Sequence, residues 1–310
     1  MGTFLVTGGA GFIGSHLVDL LLSLGHQVKV LDNLSTGSLE NLNQARGKIE
    51  FYQGDVRFPE KVPEAFRGVE GVFHLAAISS VERSIHEPQK AHEVNAVGTL
   101  KVLSFSKNQG IKRVVFVSSA SVYGNPEAFP VSERQEPRPL SPYGTSKLEG
   151  EAHALAFFRL GYLQTVSLRF FNIYGPRQDP SSPYSGVISK FLEAAVSGRK
   201  PVLFGDGKQT RDFLFVEDAC RAMILAMEKE SAPGQVFNVG SGKETSILEL
   251  GKAIFFLKDL EFNPERKPER QGDIRRSVAS IEKIREILRW EPLVPLGEGL
   301  RKTLKWVESL

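Results

Sequence analysis

Only one cysteine, Cys220, occurs in the 310 residues, so no internal disulfide framework is open to the chain. A lone thiol suits a reducing compartment. No apolar run reaches the roughly 20 residues that a membrane-spanning helix needs. The N-terminus lacks a charged stretch leading into an apolar signal core, because Thr3–Thr7 already reads as a strand. The expectation is a soluble, cytoplasmic protein with no membrane partner. Charge of one sign is scarce as well: 39 basic against 36 acidic residues leave a net +3, too little to imply a nucleic-acid partner, although local basic patches can still hold phosphates. The six histidines (His16, His26, His74, His86, His92 and His153) are scattered without zinc-ligand spacing, and the cysteine has no partner, so no metal site is expected. His74, ending an apolar strand, reads as a buried, hydrogen-bonded histidine.

What is present is an alternation of short apolar strands and longer helical segments. Strands are expected at 3–7, 27–31, 49–54, 71–75, 113–118 and 165–171, with helical periodicity over 13–24 and 89–109. This order predicts right-handed βαβ crossovers and an α/β fold, a doubly wound parallel (Rossmann) sheet. Near-continuous apolar runs such as Val114–Val117 suit a sheet covered on both faces. After about Asn172 segments shorten and Pro, Gly and Arg become more frequent. The reading is a dinucleotide-binding domain over 1–171 and a smaller α/β substrate-binding domain over 172–310. The segment near 212–240 returns towards the first, because 235–240 has the look of another strand.

Thr7-Gly8-Gly9-Ala10-Gly11-Phe12-Ile13-Gly14 lies where the first strand becomes a helix. Glycines there let the backbone turn tightly and approach a pyrophosphate, while the N–H groups at Gly11, Phe12, Ile13 and Gly14 face the anion. Asp32 ends the next strand; a carboxylate there accepts from ribose hydroxyls and repels a 2′-phosphate, favouring NAD over NADP. Asp55 has two readings, a contact to the adenine edge or a turn residue ending the third strand.

Tyr143 and Lys147 stand four apart after Ser141-Pro142, so both project from one face of a helix. A phenol with a reference pKa near 10 becomes a useful base when an ammonium and an oxidised nicotinamide favour its phenolate. Ser118-Ser119-Ala120-Ser121-Val122-Tyr123-Gly124 leaves the fifth strand at its carboxyl end, where doubly wound sheets bind ligands.

Taken in order, the glycine loop, Asp32, the serine loop and the Tyr143/Lys147 pair resemble the extended short-chain dehydrogenases, specifically the nucleotide-sugar epimerase/dehydratase family, over essentially the whole chain. The resemblance implies that Ser119, Tyr143 and Lys147 are catalytic. It implies that Asn33, Val56, Leu75, Ala76 and Ala77 line the cofactor site, and that Asn95 supports the lysine and a bound water; from the residues alone, Asn95 is equally a helix-face asparagine paired with backbone. Asn172, Arg211 and Arg270 match diphosphate contacts, and Asp273 matches the residue holding the uridine ribose. The resemblance also implies a homodimer, paired through helices such as 89–109 and 143–159.

In the family's dehydratases the two positions after the serine carry an Asp and a Glu, and decarboxylating relatives keep the Glu. This chain has Ala120 and Ser121. Without a carboxylate there, dehydration is disfavoured and epimerisation favoured. The expectation is a 4-epimerase of a UDP-sugar that passes through a 4-keto sugar with tightly held NAD. Galactose-epimerising members carry a lysine where this chain has Ser79-Ser80, and a tyrosine that blocks N-acetyl groups where it has Ser277. A small Ser277 opens space at sugar C2, and Arg177-Gln178-Asp179-Pro180 resembles epimerases of N-acetylated sugars, so UDP-N-acetylglucosamine is expected alongside UDP-glucose. The alternatives are a 4-keto-sugar reductase, a uronic-acid epimerase, or a non-catalytic NAD(H)-sensing or RNA-binding relative. The last class typically lacks the tyrosine–lysine pair.

Overall fold

The computed structural model describes residues 2–179, 186–269 and 274–310. Its first half runs β1 (Thr3–Thr7), α1 (Phe12–Ser23), β2 (Gln27–Asp32), β3 (Ile49–Gln53), β4 (Gly71–His74), α2 (Val81–His86), α3 (Pro88–His92), α4 (Gly98–Asn108), β5 (Arg113–Ser119), α5 (Pro142–Arg159) and β6 (Gln164–Phe170). The second half runs β7 (Asn172–Tyr174), α6 (Val187–Ser197), β8 (Val202–Phe204), β9 (Thr210–Arg211), β10 (Phe213–Phe215), α7 (Val216–Glu228) and β11 (Val236–Val239). It closes with β12 (Thr245–Ser246), α8 (Ile247–Phe256), β13 (Glu265–Lys267), α9 (Glu282–Leu288) and α10 (Leu296–Val307).

Seven parallel strands form the central sheet in the order β11-β6-β5-β4-β1-β2-β3. Consecutive strand residues serve opposite faces. Val6, Phe73 and Val115 pack with Leu17 and Leu21 of α1 and Ala219 and Met223 of α7. Their neighbours Leu5, Val72 and Val114 pack with Val102 and Leu103 of α4 and Ala154 of α5. That doubling explains why these strands read as apolar runs without a polar face. The order in which strands are added reverses between β1 and β4, which opens a crevice at their carboxyl ends.

The last sheet strand comes from far along the chain. β11 pairs with β6 from Val236↔Ser167 to Val239↔Phe170. Between β6 and β11, and again after β11, the chain supplies the strands of three two-stranded sheets, β7 with β10, β9 with β12 and β8 with β13.

The helical stretch expected over 89–109 is interrupted. α3 ends at His92, a wider π turn covers Glu93–Val97, and α4 starts at Gly98. The cause lies at Asn95. Its amide accepts from Ile78 N–H at 2.8 Å and donates to Ile78 C=O at 3.0 Å, and its own carbonyl accepts from the Thr99 hydroxyl at 2.5 Å. A side chain anchored to another segment pulls the turn open, and such bulges concentrate at functional sites.

Candidate active site

The glycine loop joins β1 to α1 as expected, and its shape is enforced by lack of side chains. A Cβ on Gly14 would lie 2.2 Å from the Gly8 carbonyl oxygen, so the first turn of α1 sits directly on the loop. Gly11 caps α1 without a side-chain hydrogen bond, and the first turn carries no acidic residue. Phe12 and Ile13 are half-buried at this end. A helix start of this kind, closely approachable and without a competing carboxylate, fits the pyrophosphate of a dinucleotide.

Asp32 is buried at the end of β2, its Oδ2 accepting from Ala10 N–H at 3.0 Å and its Oδ1 from Leu34 N–H at 2.8 Å. Burial raises its pKa, while the hydrogen bonds from Leu34 and Ala10 pull it back. The carboxylate therefore braces the loop. Asn33 reaches Asp55 at 3.2 Å, and Asp55 pairs with Arg57 at 2.8 Å, which holds its carboxyl below the usual range. Val56 is buried beside them. Leu75 and Ala76 lie against the glycine loop, where a Cβ on Gly8 would stand 2.8 Å from the Ala76 nitrogen, and Ala77 follows them. Leu75 N–H donates to Thr7 C=O at 3.1 Å and Ala76 N–H to the Thr7 hydroxyl at 3.3 Å. His74 lies below, sandwiched between Thr7 at 2.7 Å and Thr99 at 3.0 Å. Burial, with Lys147 nearby, drops its pKa to about 3, so it is a neutral structural histidine.

Tyr143 and Lys147 project together from α5. The helix is started by Ser141, whose hydroxyl accepts from Gly144 N–H at 3.1 Å, with Pro142 in its first turn. Both side chains are buried. Lys147 donates to the Val117 carbonyl of β5 at 2.8 Å and lies 6.0 Å from the Tyr143 ring centroid. Burial raises the Tyr143 pKa against a hydrogen bond with Ser119 that lowers it. It pulls Lys147 down to about 7 against the attraction of Glu151. Asn95 does not touch the lysine. It ties the Ile78 peptide to the Ser146 hydroxyl at 3.0 Å, setting the turn from which α5 presents its neighbours.

Ser119 also lines a pocket on the substrate side, together with Ala120, Ser121, Tyr123, Phe170, Asn172, Arg211, Arg276 and Ser277. Asn172 donates to the Asp212 carbonyl at 3.3 Å, and Arg211 donates to the Ile274 carbonyl at 2.6 Å, which fastens the segment bearing Ser277 over the cleft. Arg270 and Asp273 lie outside the described residues. Two wall residues were not singled out from sequence. The Tyr123 hydroxyl donates to Asn238 at 2.7 Å, and Arg276 pairs with Glu244 and covers the Phe129 ring at 4.7 Å. Tyr123 stands inside the serine-loop motif, which was its only signal. Among the described residues lining the pocket there is no carboxylate. Among the described residues, too, no three His, Cys, Asp or Glu side chains cluster to hold a metal, and no helix is long and apolar enough to cross a membrane.

Residues 4–240 match the profile of the NAD dependent epimerase/dehydratase family. The chain belongs to that family. Among its relatives, the UDP-glucose 4-epimerase of Mycolicibacterium smegmatis is 43% identical over 315 residues, covering 98% of both chains. A crystal structure of UDP-glucose 4-epimerase with UDP-glucose from Thermotoga maritima superposes with a TM-score of 0.94 at 41% identity, covering 99% of each chain. A UDP-N-acetylglucosamine 4-epimerase from Methanobrevibacter ruminantium, in complex with UDP-N-acetylmuramic acid, superposes with a TM-score of 0.95 at 37% identity over 99% of this chain and 98% of that one.

Proposed function

We propose that this chain is an NAD-dependent 4-epimerase of UDP-sugars. The observation that carries the reading is the meeting of Ser119, Tyr143 and Lys147 at the head of β5, beside a pocket whose wall has Ala120 and Ser121 and, among the described residues, no carboxylate. Bound NAD supplies a hydride acceptor that returns the hydride within one cycle. Tyr143 takes the proton of the sugar C4 hydroxyl and gives it back; Ser119 orients that oxygen; Lys147 favours the phenolate. No described residue of the pocket wall carries a carboxyl group to protonate a departing hydroxide, so the sugar leaves with its atoms rearranged and none lost. Asn172 and Arg211 hold the diphosphate, a task to which a guanidinium fork is suited. The small Ser277 leaves room at C2, which supports acceptance of UDP-N-acetylglucosamine as well as UDP-glucose. A homodimer through α4 and α5 belongs to the same reading, supported by Val97, Leu140 and Phe158, which are exposed on or beside these helices.

The test is incubation of the purified protein with each UDP-sugar, without reductant, and proton NMR of the products. A 4-epimer from either sugar is expected. No epimer from either sugar, with net oxidation of NADH when a UDP-4-keto sugar and NADH are supplied in a separate assay, would place the protein among the reductases.

A further inference from the structure

Behind the catalytic pair lies a buried polar chain that the reaction as described does not use. One turn beyond Lys147 on α5, Glu151 is 5% exposed and fully engaged. Its Oε1 accepts from the Ser118 hydroxyl at 2.5 Å and from Arg169 Nε at 2.9 Å, and its Oε2 accepts from Arg169 Nη2 at 2.7 Å. Arg169 of β6 turns its remaining nitrogen to the Tyr123 hydroxyl at 2.8 Å and lays its guanidinium over that ring at 4.7 Å. Tyr123 donates to Asn238 of β11, which donates to the Val131 carbonyl at 2.8 Å. Val131 in turn bridges Ala279, two residues past Ser277. The chain thus runs from Glu151, one turn beyond the catalytic lysine, to the wall of the substrate pocket.

A buried ion pair is poor evidence of stabilisation, because desolvation offsets most of its attraction; a well-packed apolar pair would serve a purely structural purpose as well. Its place one turn from a buried lysine suggests another role. We infer that Glu151, held by Ser118 and Arg169, is a positioning residue that keeps Lys147 in the ammonium form required next to Tyr143, and that Arg169 and Tyr123 fix the substrate wall in the same framework. The inference rests on the epimerase reading for the role of Lys147.

The surroundings of Lys147 leave Glu151 as its one source of negative charge among the described neighbours. On α5 it faces Tyr143 and Glu151. From β5 come the Val117 carbonyl and, at 5.1 Å, the Phe116 ring. From β4 comes neutral His74, and β6 brings Arg169, whose charge is taken up by Glu151. Burial strips the ammonium of water and lowers its pKa, and Glu151 acts in the other sense while it also offsets the nearby Arg169 cation, which without it would face Lys147 uncompensated.

The experiment follows the titration of Lys147 by NMR in the holoenzyme carrying ¹³C-labelled lysine, with no substrate present. Glu151→Gln is expected to lower the titration midpoint by about one unit, a tenfold loss of proton affinity. It should carry the alkaline limb of the kcat profile to lower pH by the same amount. Ser118→Ala removes a donor from the same carboxylate, leaves its negative field stronger, and is expected to move the midpoint upward. Opposite shifts from two neighbouring substitutions are not what general loosening would give. An unchanged midpoint in Ser118→Ala, or in folded Glu151→Gln, overturns the inference, and Ser118→Ala decides alone if the glutamine variant does not fold. Shifted titrations in a protein that turns over no UDP-sugar would uphold this inference while overturning the epimerase reading.

Discussion

Burial acts on Tyr143 and Lys147 in opposite senses, pushing the phenol towards its protonated form and the ammine-bearing lysine towards its neutral one. Left to burial, the pair would be an uncharged phenol beside an uncharged amine, useless for moving a proton. The field of Glu151 and the hydrogen bond from Ser119 work against that outcome. Tyr143→Phe keeps the ring and removes the proton carrier. Its kcat is expected to fall by about 10²–10⁴-fold, with bound NAD, read by its release on denaturation, unchanged. At the pocket wall, Ser277→Tyr is expected to suppress turnover of UDP-N-acetylglucosamine while sparing UDP-glucose. Comparison of the two rates by NMR checks it, and equal loss of both would show that residue 277 does not face C2.

At the scale of elements, the site depends on how closely α5 lies on the sheet. A Cβ on Gly150 would meet the Phe116 ring at 2.5 Å, so only glycine lets the helix settle where Lys147 reaches the Val117 carbonyl. Gly150→Val should destabilise the fold by about 1–3 kcal/mol through overpacking, read from the urea midpoint. It should also lower kcat more than it raises KM, because the helix and its two reacting side chains are lifted together. The π turn at 93–97 has a similar role on the other side. The spacing of residues 89–109 reads as one helix, and it is interrupted because Asn95 has partners on a different segment, Ile78 and Ser146, that a local pattern does not display.

For the whole molecule, the buried histidine at the centre of the sheet sets the acid limit. His74 titrates at about 3 when folded against 6.5 when free. Between those values the unfolded chain binds a proton that the folded chain does not, so unfolding is favoured as pH falls from 6.5 towards 3. The loss amounts to about 5 kcal/mol over that window. Urea unfolding across pH 3–7 should show it, and His74→Gln should flatten the dependence even if the variant is less stable at neutral pH. A wild-type profile without this slope would mean that His74 is protonated in the fold.

The alternation of strands and helices, the glycine loop, Asp32 and the pairing of Tyr143 with Lys147 were all determined by the sequence itself. Each is a local matter: strand and helix periodicities, a turn too crowded for a Cβ, a helix start at Ser141-Pro142, and two residues four apart on one helical face. The family could be read from those short patterns because the chemistry needs them at fixed spacing. Tertiary structure decided what is coupled to what. Glu151 is a mid-helix acid whose meaning appears only when Arg169 arrives from the next strand, and Tyr123 meets Asn238 across 115 residues of chain. Likewise β11 is a few apolar residues until it pairs with β6. Contacts of that kind are fixed by packing of the two cores and leave no period in the sequence, so the Tyr143–Lys147 pair was legible beforehand and the buried framework around it was not.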